Sequence, residues 1–141
     1  MTVADEYRAT NYVFVGKVQS EHKLGLDKDG FFAATAYRVA VVSSYKGKPP
    51  KALTIYNSNT SARFDMDVGK SYVLFVYHGR RQNIVSNCGW SDEISQSNRV
   101  LRELNHRDDF AKRPFHCWRG TNQGCVPDLR TYRAGEKPGM P

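Results

Sequence analysis

The sequence predicts an all-β fold with short helices, in which five strands close into one small barrel. Two β-forming blocks carry that expectation: Tyr12-Val13-Phe14-Val15-Gly16-Lys17, and Val68-Gly69-Lys70-Ser71-Tyr72-Val73-Leu74-Phe75. The first holds a glycine inside the strand, where the missing side chain lets the chain coil or bulge tightly enough to serve two sides of a closed sheet. Size sets the rest. A chain of 141 residues, 40% hydrophobic and 12% aromatic, can bury one core but not two ordinary ones.

The elements follow in order. Thr2-Val3-Ala4-Asp5 has the spacing of an N-cap with an acidic residue three positions on, which predicts a short helix from Thr2 to about Ala9. This helix delivers the chain into the first strand. Glu21 to Gly30 is polar and ends in Asp27-Lys28-Asp29-Gly30, a turn composition that lacks the spaced oxygen ligands and closing Glu of a calcium loop. Phe31 to Tyr45 alternates, with Phe31, Ala33, Tyr37, Val39 and Val41 on one face and Arg38 on the other, and is long enough to bend across a barrel. Lys46-Gly47-Lys48-Pro49-Pro50 breaks the ladder, because proline offers no donor. Ala52 to Tyr56 is the third strand, Asn57 to Arg63 a loop, Ser71 to Tyr77 the fourth strand and Asn83 to Asn87 the fifth. Ser91 and Asp92 suit a helix start, and Ile94, Val100, Leu101 and Leu104 form a stripe up to about Asn105. This helix is expected to pack across the barrel or plug one end. From His106 the periodicity dissolves, so residues 106–141 are read as an irregular or partly disordered C-terminal extension beside a domain of residues 1–105.

Five strands in this order, a glycine in the first and a helix after the fifth, fit the five-stranded Greek-key OB-fold barrel. The segments "ATNYVFVGKV" at 9 to 18, "YRVAVVSSYKG" at 37 to 47, "VGKSYVLFVY" at 68 to 77 and "IVSNCGWS" at 84 to 91 resemble the netrin-like family, which includes the tissue inhibitors of metalloproteinases. The likeness covers roughly residues 2 to 105, and its motifs are mostly structural. It implies a non-enzymatic, extracytoplasmic protein-binding module, secreted or periplasmic once a signal peptide has been removed, with a metalloproteinase among its candidate protein partners. The N-terminal segment (Met1, Thr2, Val3) and the loop Asn59, Thr60, Ser61 would form the contact.

The chain also departs from that pattern. Such inhibitors begin at a Cys whose amine and carbonyl chelate the protease zinc, and position 1 here is Met1. A family Cys before the fourth strand is absent from Asn59 to Phe64. Cys88 matches the cysteine that ends the fifth strand, whose expected partner lies near the N-terminus, yet no cysteine precedes it. Three cysteines, Cys88, Cys117 and Cys125, allow three single pairings, each leaving one thiol over. Cys117 with Cys125 would close a local loop, Cys88 with either would staple the extension to the barrel, and in a reducing compartment all three would be free.

Charge and chemistry exclude other classes more than they select one. Residues 1–105 hold 14 basic and 10 acidic side chains, and 106–141 hold 7 and 4, so the net +7 is spread thinly. Lys46, Lys48 and Lys51, with Arg80 and Arg81, fall in expected loops, where solvated hairpin ends are the ordinary reading. An alternative function is an oligonucleotide-binding barrel in which Tyr37, Tyr45 and Tyr56 stack bases and the lysine loops hold phosphates. His106, His116, Cys117 and Cys125 lack the paired spacing of a zinc site, and Cys117 beside His116 has no orienting third group. No catalytic residue, metal or cofactor is assigned. The apolar runs reach only about six or seven residues, so no membrane span is expected. Asn59-Thr60-Ser61 also fits the glycosylation acceptor pattern.

Overall fold

The computed structural model of the chain describes residues 1–79, 81–112, 115–117 and 125–127. Strand β1 (Tyr12–Leu24) pairs antiparallel with β2 (Ala34–Lys46), and β2 with β3 (Ala52–Ser58). The chain then crosses to β4 (Ser71–Gly79), which turns into β5 (Gln82–Val85). Because β3 meets β5 in parallel and β4 returns to β1, the order β1-β2-β3-β5-β4 closes into a ring of five strands within a six-stranded mixed sheet. A two-residue strand, β6 (Asp92–Glu93), sits outside the ring on β4.

The ring closes because β1 is paired on both of its edges. Tyr12 to Lys17 face Val76 to Ser71 of β4, while Val13 to Leu24 face Lys46 to Ala34 of β2. Register shifts at Val13/Phe14, Val15/Gly16 and Val18/Ser20 bend the strand between these partners, as bulges do when an extra residue is left out of the ladder. Gly16 lies inside this bent region. A Cβ there would collide with Val39 Cγ1 and come to 2.8 Å from the Phe14 ring, so the site accepts only a residue without one.

Side-chain alternation on β1 and β4 builds two cores. Phe14, Val18, Tyr37, Val39, Leu53, Ile55, Tyr72, Leu74 and Val76 fill the face shared by the strands of the ring. Met66 joins them from the β3–β4 connection, whose backbone is held by the two core tyrosines: Met66 N–H donates to Tyr37 Oη (3.2 Å) and Asp67 N–H to Tyr72 Oη (2.8 Å). The opposite face of β1 and β4 presents Val13, Val73 and Phe75, covered by Val3 of helix α1 (Val3–Ala9) and by Val100 and Leu104 of helix α2 (Asn98–Asn105). Strand β4 is therefore buried on both faces from Tyr72 to Val76, and reads as an unbroken apolar run for that reason.

Several expectations are corrected. The first strand runs on through Glu21, His22 and Lys23 to Leu24, as one arm of a long hairpin, and the second begins at Ala34. The helix expected from Ser91 begins at Asn98, because the Ser91 hydroxyl accepts from Phe75 N–H (2.8 Å) and the chain then makes β6 and a 3-10 turn, Ile94–Gln96. Helix α2 lies across the outer face of β1 and β4. Of the C-terminal extension, read as irregular or partly disordered, the described residues include helix α3 (Asp108–Lys112) and two short paired strands, β7 (Phe115–Cys117) and β8 (Cys125–Pro127). Its start is tied to α1: the Phe110 ring meets Tyr7 edge-on at 5.3 Å, and the Arg8 guanidinium donates to Phe110 O.

Gly16→Val is expected to destabilise the protein by about 1–3 kcal/mol, the ordinary cost of overpacking a closed site, read as a fall of several degrees in melting midpoint. An unchanged midpoint would contradict the placement of Gly16 between β2 and β4.

Candidate functional site

Two of the residues expected to make a partner surface, Met1 and Ser61, each bond to one short segment, Ser86 to Trp90. At the N-terminus, Thr2 is the helix cap: its hydroxyl accepts from Asp5 N–H and the Asp5 carboxylate accepts from Thr2 N–H, both at 3.1 Å, so two orphan amides of α1 are satisfied reciprocally. Val3 is buried in the second core, and Met1 stays 70% exposed. The Met1 carbonyl accepts from Trp90 Nε1 (3.0 Å). On the other flank, the Asn87 side-chain amide donates to Ser61 O (3.2 Å). Thr60 and Ser61 are exposed, while Asn59 is half-buried and its amide donates to Phe32 O (2.9 Å).

Of the six expected contact residues, Met1, Thr60 and Ser61 present surface, and Thr2, Val3 and Asn59 hold the backbone in place. Cys88 lies between the two flanks, exposed and without a disulfide, with its Sγ 3.2 Å from Asn87 Oδ1. The backbone register sets Cys117 opposite Cys125; their side chains lie outside the described residues, as does Arg80.

A buried carboxylate organises this edge. Glu6 occupies the inward face of α1 and is fully buried. One oxygen accepts from Tyr77 Oη–H (2.9 Å), and the other accepts from Trp90 N–H. The backbone at Gly89 passes so close that a Cβ would strike Oε2 and lie 2.6 Å from Oε1. A buried carboxylate without such donors is costly, so Glu6 holds α1, β4 and the Ser86–Trp90 segment in one arrangement. The other end of α1 is held by Lys46, whose ammonium donates to the carbonyls of Tyr7 (2.6 Å), Arg8 (3.2 Å) and Thr10 (2.5 Å). A cation is favourable at a helix C-terminus, although burial lowers the Lys46 pKa. Lys46 is thereby committed to the fold and withdrawn from any phosphate-holding cluster with Lys48 and Lys51.

The three tyrosines expected as a base-stacking platform do not share a surface. Tyr37 is 2% exposed in the first core, Tyr45 packs against the second, and Tyr56 is half-buried on β3. Among the described residues no cluster of three metal-ligating side chains occurs, and no helix is long and apolar enough to cross a membrane.

Glu6, Tyr77, Gly89 and Trp90 were not expected from sequence to form a unit. One signal was available: Val3, Glu6, Tyr7 and Thr10 follow the spacing of a core-facing helical stripe, and a carboxylate within such a stripe requires donors. No protein-family model matches the chain, and no curated protein matches it.

Burial, together with the Glu6 hydrogen bond, pushes the Tyr77 phenol up to about 12, against about 10 in an unfolded chain. The folded state thus keeps a proton that the unfolded state releases, and the stability this contributes is fully present below about pH 10 and lost as the pH rises to about 12. Denaturant unfolding measured across that window should show a shallower decline for Tyr77→Phe than for the parent chain. Parallel curves would contradict the assignment.

Proposed function

We propose that the chain is a non-enzymatic, extracytoplasmic protein-binding module of the kind its motifs resemble, and that its ring of strands is an OB-type Greek-key barrel. The ring order β1-β2-β3-β5-β4, with β3 and β5 parallel, supports the barrel reading. One observation carries the functional reading. The N-terminal residue and the Asn59–Ser61 loop, distant in sequence, flank a single segment through Trp90 to Met1 and Asn87 to Ser61. Two exposed stretches held by a rigid sheet form a contact surface that need not order itself on binding, which limits the entropic cost of association. The position of Cys88 between them is consistent with the resemblance, in which the equivalent cysteine ties the fifth strand to the N-terminal arm. The partner class that the resemblance suggests is a metalloproteinase.

Surface plasmon resonance of the whole chain against a panel of metalloproteinase catalytic domains tests this reading. Saturable binding is expected, weakened at least tenfold by Thr60→Arg combined with Ser61→Arg and unchanged by Lys51→Ala, an exposed residue at the opposite end of β3. Absence of binding across the panel, with a steeply salt-sensitive affinity for single-stranded DNA instead, would overturn it in favour of a nucleic-acid-binding barrel.

A further inference from the structure

A groove opens where β3 and β5 part. The two strands share one register pair, Ile55 with Asn83, after which β3 continues to Ser58 and β5 to Val85. The opening holds about 410 Å³, within the range of about 300–1,000 Å³ common for small-ligand sites. Its apolar lining residues include Tyr56, Tyr77, Val85 and Ile84, the last 38% exposed.

The polar groups in the groove define what it could take. The side chains of Ser58 and Gln82 make no hydrogen bond among the described residues. Thr60 and Ser86 use their hydroxyl oxygens to accept from Ala62 N–H (3.3 Å) and Cys88 N–H (3.2 Å), which leaves both O–H groups undonated. Every one of these groups both donates and accepts. Among the described residues, no charged side chain lines the groove, although a quarter of the chain is charged. A phosphate, a carboxylate or an ammonium would lose its hydration there with no opposite charge to replace it. A wholly apolar ligand would cover four polar groups and leave them unpaired.

We propose that this groove binds a neutral saccharide. A pyranose combines an apolar C–H face, which suits tyrosine rings and an isoleucine, with a rim of hydroxyls that donate and accept in turn. The site is separate from the proposed protein contact in its ligand, though Thr60 and Ser86 border both, and it does not depend on that reading being right.

The test is an amide-resolved NMR titration of the whole chain with neutral oligosaccharides of glucose, galactose, mannose and N-acetylglucosamine. Saturable shifts confined to residues 56–60 and 82–86 are expected for at least one of them. Tyr56→Ala and Gln82→Ala should each weaken that binding at least tenfold while leaving the melting midpoint within a few degrees of the parent. No saturable shift in the groove at tens of millimolar sugar would overturn the proposal. So would shifts that map elsewhere, stronger binding of sulfated than of neutral sugars, or occupancy by a proline-rich peptide in place of every sugar.

Discussion

Everything in this fold rests on one strand having two partners. Residues 12–17 of β1 pair with β4, while the strand as a whole pairs with β2, and without that double engagement the six strands would be an open sheet with two exposed edges. The double pairing is possible because β1 bends at three register shifts and because Gly16 clears space for Val39 and Phe14. Closure also creates both cores. Once β1 and β4 are neighbours, their inward side chains complete the ring interior and their outward ones form the surface that α1 and α2 cover.

The second dependence runs through a charge. Helix α1 has only seven residues, too few to be stable alone in water. It persists because it is fastened at both ends and on its inner face: the Thr2–Asp5 capping box, the Lys46 ammonium on its last carbonyls, and Glu6 held by Tyr77 and Trp90. These fastenings also place the N-terminal residue beside Ser86–Trp90. The proposed contact surface is thus a by-product of how a short helix is anchored to a closed sheet.

What was legible in the sequence follows from where the information is concentrated. Tyr12 to Lys17 and Ser71 to Tyr77 are dense in β-formers because those segments are buried on two faces, and they marked the ring correctly. The outer half of β1 was hidden, since Ser20 to Lys23 are exposed polar residues paired only with β2; turn-like composition and a solvent-exposed hairpin look alike. Ser91 carried a helix-start signal, but its hydroxyl serves Phe75 N–H on β4, a tertiary use that no local pattern announces. Of the six residues named as contacts, Met1, Thr60 and Ser61 are exposed and Val3 is buried, because a cap signal and a loop composition mark a segment and not which of its side chains faces the core. The bonds that assemble this edge, from Glu6 to Tyr77 and Trp90, join positions more than 70 residues apart and leave almost no local trace.

Native-state hydrogen exchange resolved by residue is the most direct test of the closure argument. If β1 holds the ring through both edges, the hydrogen-bonded amides of Tyr12 to Lys17 and of Tyr72 to Val76 should exchange only through global unfolding, with the same free energy as the amides bonded between β1 and β2. Exchange of the β1–β4 amides through a lower-energy local opening, while β1–β2 stays protected, would show that the sheet persists without its closing pair and would contradict the account.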